Sequence, residues 1–354
     1  MGSLWQLSLG YFFSYIATGL LVKFFTGKVD AGFYGLNSIE YLVYSTAFSS
    51  LFCVAVVLIR GWHRRAHLSG REKFTLFCSG ACTAYIIPTS TLIMSLPISI
   101  MVAMVLMRGS VIVASRLVDL LLDRQGILKK SIPWQEEVAV FLAIAAILSK
   151  LFFSQNKEAQ FPVIGIILLS IYFFAYLLRL YIMNRAKLTG LAGNQKLDQK
   201  LYFGTEQLFA SGFLFLIAIP VYLALSVHPE SNGLVGQQFV NSIQSPHSLW
   251  FLASLSGLPY ALIAFLSVFL FLYPGKTATF TGVLNRLVSL MGGTASSLIL
   301  FLFFSGKFPP TEDWISLCFI FASIGFLAWG DQAEQARESG QRRHFEGSPV
   351  PAKG

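Results

Sequence analysis

Charge is what this chain has least of. Only 12% of its 354 residues are Asp, Glu, Lys or Arg, against 55% hydrophobic. That balance excludes a pair of ordinary soluble domains, which carry about a quarter charged residues. Acidic residues are scarcer than basic ones, 17 against 26. The four cysteines, Cys53, Cys78, Cys82 and Cys318, all fall inside apolar stretches, which argues against a disulfide framework or zinc cluster and for core packing. His63-Arg-Arg-Ala-His67 has a metal-like spacing but sits in a basic connection with no third ligand nearby; it reads as a solvated face against anionic lipid headgroups. No carboxylate pair, His/Cys cluster or nucleophile–base spacing is present, so the expectation is no enzyme, no metal and no cofactor.

Long apolar runs make up nearly all of the rest. Ten are long enough to span a bilayer: Ser3 to Phe25, Asn37 to Ile59, Phe74 to Met94, Pro97 to Leu122, Trp134 to Phe153, Pro162 to Asn184, Leu201 to Val227, Ser248 to Leu272, Thr277 to Phe304 and Trp314 to Gly330. The first is too long for the apolar region of a cleavable leader and reads as a spanning helix. The expected fold is all-α integral membrane, with ten transmembrane helices. A polar tail, 331–354, is expected to be disordered.

Loop charge sets the orientation. With a cytoplasmic N-terminus, Arg60 to Lys73 holds five Lys or Arg residues, Arg124 to Lys130 three, Arg185 to Lys200 four, Lys276 one and the tail four, seventeen together. The opposite loops hold Lys28, Lys157 and Lys307. The positive-inside rule puts both termini in the cytoplasm. The net charge of +9 is then a matter of topology, and nucleic acid is not expected as a partner.

The ten segments read as a duplication. Tyr11-Phe-Phe-Ser-Tyr15 recurs as Tyr172-Phe-Phe-Ala-Tyr176; Glu40 has a counterpart in Glu206, Pro88 in Pro259, and Arg108 in Arg286. Five helices per half is an odd number, so the second copy must enter from the opposite side. The expected organisation is two inverted five-helix repeats, 1–155 and 156–330, with a site near the midplane where they meet.

Arg286 is the residue that demands an explanation. It lies about ten residues inside its segment, some 15 Å deep at roughly 1.5 Å per residue, near the middle of a hydrocarbon core about 30 Å thick, with no acidic residue within a turn. A charge there faces a wet cavity or a partner. Arg108 sits at similar depth from the other face. The alternative is that each arginine caps carbonyls of a broken helix. Arg116, with Asp119 at i+3, reads as a local ion pair. Asn285 can donate and accept beside Arg286, and Tyr11, Tyr15, Tyr172, Tyr176, Tyr85 and Tyr260 place phenols within the spans. Lys23 and Arg179, nearer helix ends, rank second because they can snorkel, and Lys150 ranks below them. Pro88 and Pro259, each beside small residues, predict bends, and Ser289, Gly293 and Ser297 a narrow packing face.

The run Gly282-Val-Leu-Asn-Arg286 resembles the Gly-Ala-Leu-Asn-Lys motif of the nucleotide-sugar transporters, a branch of the drug/metabolite transporter superfamily, with Val283 and Arg286 in place of Ala and Lys. Ten helices in two inverted halves with cytoplasmic termini extend the resemblance over nearly the whole chain. It implies exchange of phosphorylated solutes, with Arg108 and Arg286 gripping phosphate and Gly282 and Asn285 lining the site. The resulting expectation is a secondary transporter of an anionic, phosphorylated or nucleotide-linked metabolite. The alternative is a proton-coupled exporter of cationic or lipophilic compounds, with Glu40 or Glu206 titrating. Expected partners are a small-molecule solute and membrane lipid, with a homodimer allowed. The expected location is a bacterial inner membrane, an endomembrane being the eukaryotic alternative.

The charge asymmetry has a direct test. A cysteine introduced at Ser231 is expected to react with an impermeant thiol reagent applied from outside the cell, and one at Ser69 only after the membrane is breached; the reverse pattern would reject the orientation.

Overall fold

The structure, a computed structural model, describes residues 3–27, 29, 32–64, 67–95, 100–128, 133–152, 163–191, 197–227, 233–304, 308 and 311–346. It is 86% helix, with no strand among the described residues. The helices are α1 (Leu4–Thr26), α2 (Ser38–Ile59), α3 (Gly70–Ser95), α4 (Ile100–Arg124), α5 (Trp134–Phe152), α6 (Val163–Thr189), α7 (Gln199–Val227), α8 (Leu234–Gln244), α9 (Trp250–Leu255), α10 (Leu258–Phe271), α11 (Ala278–Phe303) and α12 (Thr311–Glu346). Among the described residues, seven spans are long and apolar enough to cross a membrane: α1, α2, α6, α7, the α9–α10 pair, α11, and Trp314–Ala333 within α12. Large apolar side chains such as Phe141, Val163, Leu216 and Ile59 stay exposed on outer faces, as lipid-facing residues must. The chain is therefore an α-helical, multi-pass membrane protein.

Helix ends follow their local chemistry. Ser3 and Gln6 form a reciprocal capping box at the start of α1. Asp198 accepts from the amides of Lys200 and Leu201 at the start of α7. Gly190, at a φ of +79°, turns the chain out of α6. The two expected bends differ. Pro88 lies inside a continuous α3, whereas Pro259 sits in the first turn of α10, just after the Ser256-Gly257 break from α9. That break presses on α2: a β carbon on Gly257 would lie 2.3 Å from the Ser45 carbonyl oxygen, and Ser256 Oγ donates to Tyr41 OH at 2.9 Å. At its far end α12 continues to Glu346 through the polar stretch expected to be disordered, because Ala, Glu, Gln and Arg between 333 and 338 are strong helix formers. Residues 347–354 lie outside the described residues.

Packing is mostly between the halves of the chain. α1 lies on α10 and α11, α6 on α3 and α4, α7 on α3, α2 on α9 and α10, and α5 on α12, while α4 meets α11 and α2 meets α7. The expected small-residue face of α11 is rotated by one position. Gly293 has open space around it, and the close approach to α1 is made by Gly292 against Tyr15 and by Ser296 against Gly19.

The innermost element is α11, buried at every residue from Ala278 to Leu290. Its N-terminus is buried too, so its free amides need partners from protein. Asp119 of α4 supplies them, Oδ1 accepting from Ala278 N at 2.9 Å and Oδ2 from Thr279 N at 2.6 Å. Thr277 Oγ1 accepts from Phe280 N and donates to Glu136 of α5 at 2.6 Å. The expected Arg116–Asp119 pair does not form, because these amides take the Asp119 carboxylate and Arg116 pairs with Glu137 of α5.

Asp119→Ala removes two charge-assisted bonds to buried amides and is expected to lower stability by about 2–3 kcal/mol, read as a fall in the melting temperature of the purified protein. Asp119→Asn, which retains one acceptor, should fall less.

Candidate functional site

α11 carries Arg286 seven residues beyond Thr279, about 10 Å into the bundle from its capped end. The guanidinium lies 5.1 Å from the centre of the Tyr176 ring, within electrostatic range of the phenols of Tyr172, Tyr11 and Tyr15. The side chain is 7% exposed, its Nε lacks a hydrogen-bond partner, and no carboxylate among the described residues pairs with it.

Arg108 joins the same cluster from α4. It is partly buried and within electrostatic range of Arg286, Tyr15, Tyr11 and Tyr172. Two guanidinium groups thus share one aromatic enclosure with no carboxylate between them. The tyrosines come as pairs one helical turn apart. Tyr11 and Tyr15 on α1 meet edge to face with centroids 4.9 Å apart, and Tyr172 and Tyr176 on α6 are also 4.9 Å apart. Tyr260 of α10 is within range of Tyr15 and Tyr176 and keeps 37% of its surface exposed, so the cluster retains accessible surface. Tyr85 is not part of it; the side chain is 51% exposed on α3 and joins none of these contacts.

The motif residues divide by what their atoms already do. Asn285 is fully buried, accepting from Tyr11 OH at 3.0 Å and donating to Ser267 Oγ at 3.1 Å. It ties α1 and α10 to α11, so its amide is occupied rather than free for a ligand. Gly282 faces α4: a β carbon there would lie 2.0 Å from Ser115 Oγ and 2.6 Å from Ser115 Cβ. It permits the α4–α11 crossing and lines nothing open. Within the motif, Arg286 alone keeps a buried polar atom without a partner.

The two acidic candidates are not equivalent. Glu40 stands partly buried in the first turn of α2, near Tyr44. Glu206 of α7 is 2% exposed and ion-paired with Arg179 of α6, through Nε at 2.8 Å. Arg179 is the residue that sequence reasoning ranked too low, as a snorkelling side chain. It is itself buried, and the signal was its spacing of three and seven from Tyr176 and Tyr172, which puts it on their face of α6. Lys23 points outward and is exposed, and the side chain of Lys150 lies outside the described residues.

A desolvated guanidinium is destabilised by several kcal/mol, while each aromatic face offsets about 0.5–2 kcal/mol. The Tyr176 face therefore softens the charge of Arg286 without cancelling it, and the arrangement is suited to an anion with flat or hydroxylated parts that fit among tyrosines.

No family model matches the chain, and no curated protein matches it. Twenty-two chains of solved structures do. One, described only as a crystal structure of a protein, aligns over 94% of this chain and 98% of its own at a TM-score of 0.57 and 10% identity. At that identity the likeness is one of fold, across nearly the full length of both chains.

Gly282→Ala is expected to lower stability by about 1–3 kcal/mol through the clash with α4, read as a fall in the melting temperature. Adding Ser115→Gly should restore most of the loss. Failure of that rescue, with ligand binding lost instead, would return Gly282 to the lining of the site.

Proposed function

We propose that the chain is a secondary transporter that moves an anionic, phosphorylated or nucleotide-linked metabolite by alternating access, resembling the drug/metabolite transporter superfamily and its nucleotide-sugar branch. The observation that carries this reading is the pair of deep guanidinium groups, Arg108 and Arg286, in one tyrosine-lined cluster without a carboxylate. Arginine suits the task because its planar fork binds phosphate or carboxylate through two bonds and stays charged at any working pH. Exchange follows from the same electrostatics. An empty cavity holding two unneutralised guanidinium charges is costly to seal away from water, and a bound anion relieves that cost.

Ten spans in two inverted repeats belong to this proposal, and the packing supports it. Exchanging α1–α5 with α6, α7, α9–α10, α11 and α12 turns the α1 contacts with α10 and α11 into the α6 contacts with α3 and α4, and turns α2 on α9–α10 into α7 on α3. Ser50 and Ser211 are 161 residues apart and hydrogen-bonded to each other at 2.7 Å, as equivalent residues on a two-fold axis would be. The same offset relates Tyr11 to Tyr172, Tyr41 to Tyr202 and Ser45 to Glu206. In this register Ser256-Gly257 against Ser45 answers Ser79-Gly80 against Glu206. The correspondences drawn from sequence between Glu40 and Glu206, and between Pro88 and Pro259, give way to these. Cytoplasmic termini and a bacterial inner membrane complete the proposal. The proton-coupled exporter loses ground, since Glu206 is held by Arg179.

Arg286→Ala is expected to abolish exchange of an anionic substrate in proteoliposomes, and Arg286→Lys to keep part of it. Loss of one partner from a buried charged contact is worth about 2–5 kcal/mol, so substrate affinity should fall at least tenfold. Wild-type exchange by a stably folded Arg286→Ala protein would end the reading.

A further inference from the structure

Beside the two free arginines lies a third buried guanidinium that is not free. Arg179 bonds Glu206 through Nε at 2.8 Å and through a terminal nitrogen at 3.4 Å. Glu206 is fixed in turn by α3, its Oε1 accepting from Ser79 Oγ at 2.7 Å and Thr83 Oγ1 at 3.2 Å, while Tyr202 OH lies 3.0 Å from Ser79 Oγ. Cys82 and Tyr202 are also within electrostatic range of this carboxylate. The pair adjoins the site. Tyr176, whose ring carries Arg286, lies within electrostatic range of both Arg286 and Arg179, one turn before Arg179 on the same helix.

The pair also breaks the internal pattern. At the 161-residue offset, Thr18 and Ser45 stand where the second half has Arg179 and Glu206. A fold built from two similar halves closes at that place in the first half with neutral side chains, so packing alone does not call for an ion pair.

We propose that Glu206 determines the charge specificity of the site. By neutralising Arg179 it leaves two free guanidinium charges, those of Arg108 and Arg286, and so selects dianions over monoanions and over more highly charged ligands. This rests on the anion-carrier reading. A phosphate monoester, close to −2 above its second pKa of about 6, matches the two charges; a diester carries one charge and pyrophosphate more than two.

The test uses purified full-length protein at pH 8 and three probes, dimethyl phosphate, methyl phosphate and pyrophosphate, with dissociation constants taken from ligand-dependent thermal shifts. Wild type is expected to bind methyl phosphate at least tenfold more tightly than dimethyl phosphate, and pyrophosphate no more tightly than methyl phosphate. Glu206→Gln frees Arg179 and should favour pyrophosphate over methyl phosphate by at least tenfold. The double variant Arg179→Gln/Glu206→Gln, which again has two free charges, should return to the wild-type order. Should Glu206→Gln not fold, Arg179→Gln leaves Glu206 unneutralised and should move preference toward dimethyl phosphate. A folded Glu206→Gln or Arg179→Gln protein with the wild-type order, or a double variant that departs from it, would overturn the proposal while leaving an anion carrier intact. Wild-type protein that binds none of the three would overturn the carrier reading itself.

Discussion

The buried start of α11 is the constraint on which the rest of the architecture depends. A helix that begins inside protein presents free amides and the positive end of its dipole to surroundings without water. Here two helices of the first half answer it, α4 with the Asp119 carboxylate and α5 with Glu136 acting through Thr277. That arrangement fixes the height and rotation of α11 against α4. The tight crossing at Gly282 and Ser115, and the position of Arg286 below it, follow from the same placement. A slide of one residue along α11 would turn its side chains by about 100° and remove Arg286 from the tyrosines.

Polar residues in this bundle fall into two kinds. Many are tied to protein groups: Asn285 to Tyr11 and Ser267, Ser256 to Tyr41, Lys187 to the carbonyl oxygens of Phe271 and Lys276, and Gln199, through its Nε2, to the carbonyl of Leu272. These bonds satisfy groups that a bilayer interior could not, and they hold helix ends where the chain turns. Arg108 and Arg286 are of the other kind, within electrostatic range of several tyrosine phenols and, among the described residues, given no carboxylate. The contrast separates residues that build the bundle from those with capacity left for a ligand, and burial alone would not have made it, since Asn285 is more deeply buried than Arg286.

Element type and extent were legible because hydrophobic run length carries them directly. Most helices start and stop within a few residues of where the apolar segments do; α12 runs on to Glu346, α9 and α10 divide one segment, and α8 has no apolar segment to mark it. The tyrosine pairs and deep arginines were also readable, since four-residue spacing and distance from a segment end translate into face and depth. What was hidden was pairing between distant residues. Asp119 has Arg116 one turn before it and looks locally satisfied, yet the amides of α11 take it. Arg179 looks like a snorkelling side chain until α7 brings Glu206 against it. At Pro88 the helix runs on without a break, and neighbouring hydroxyls bond carbonyls within it, as Thr89 does Tyr85. The helical tail beyond Asp331 was missed because polarity suggested disorder where residue propensity favoured helix.

The closeness of Gly282 to Ser115 changes what the five-residue run Gly282–Arg286 can be taken to announce. Its glycine is required by the distance between two helix backbones, its Val283 and Leu284 are core residues, and its asparagine is a brace between three helices. Four letters of the run are therefore scaffolding, and only the last, Arg286, keeps a buried polar atom without a partner. Two carriers could share the whole string because they cross helices in the same way and still accept different solutes. Read in this chain, the string is a signature of architecture, and on the carrier reading proposed above the choice of solute rests on side chains scattered over α1, α4, α6, α7 and α10.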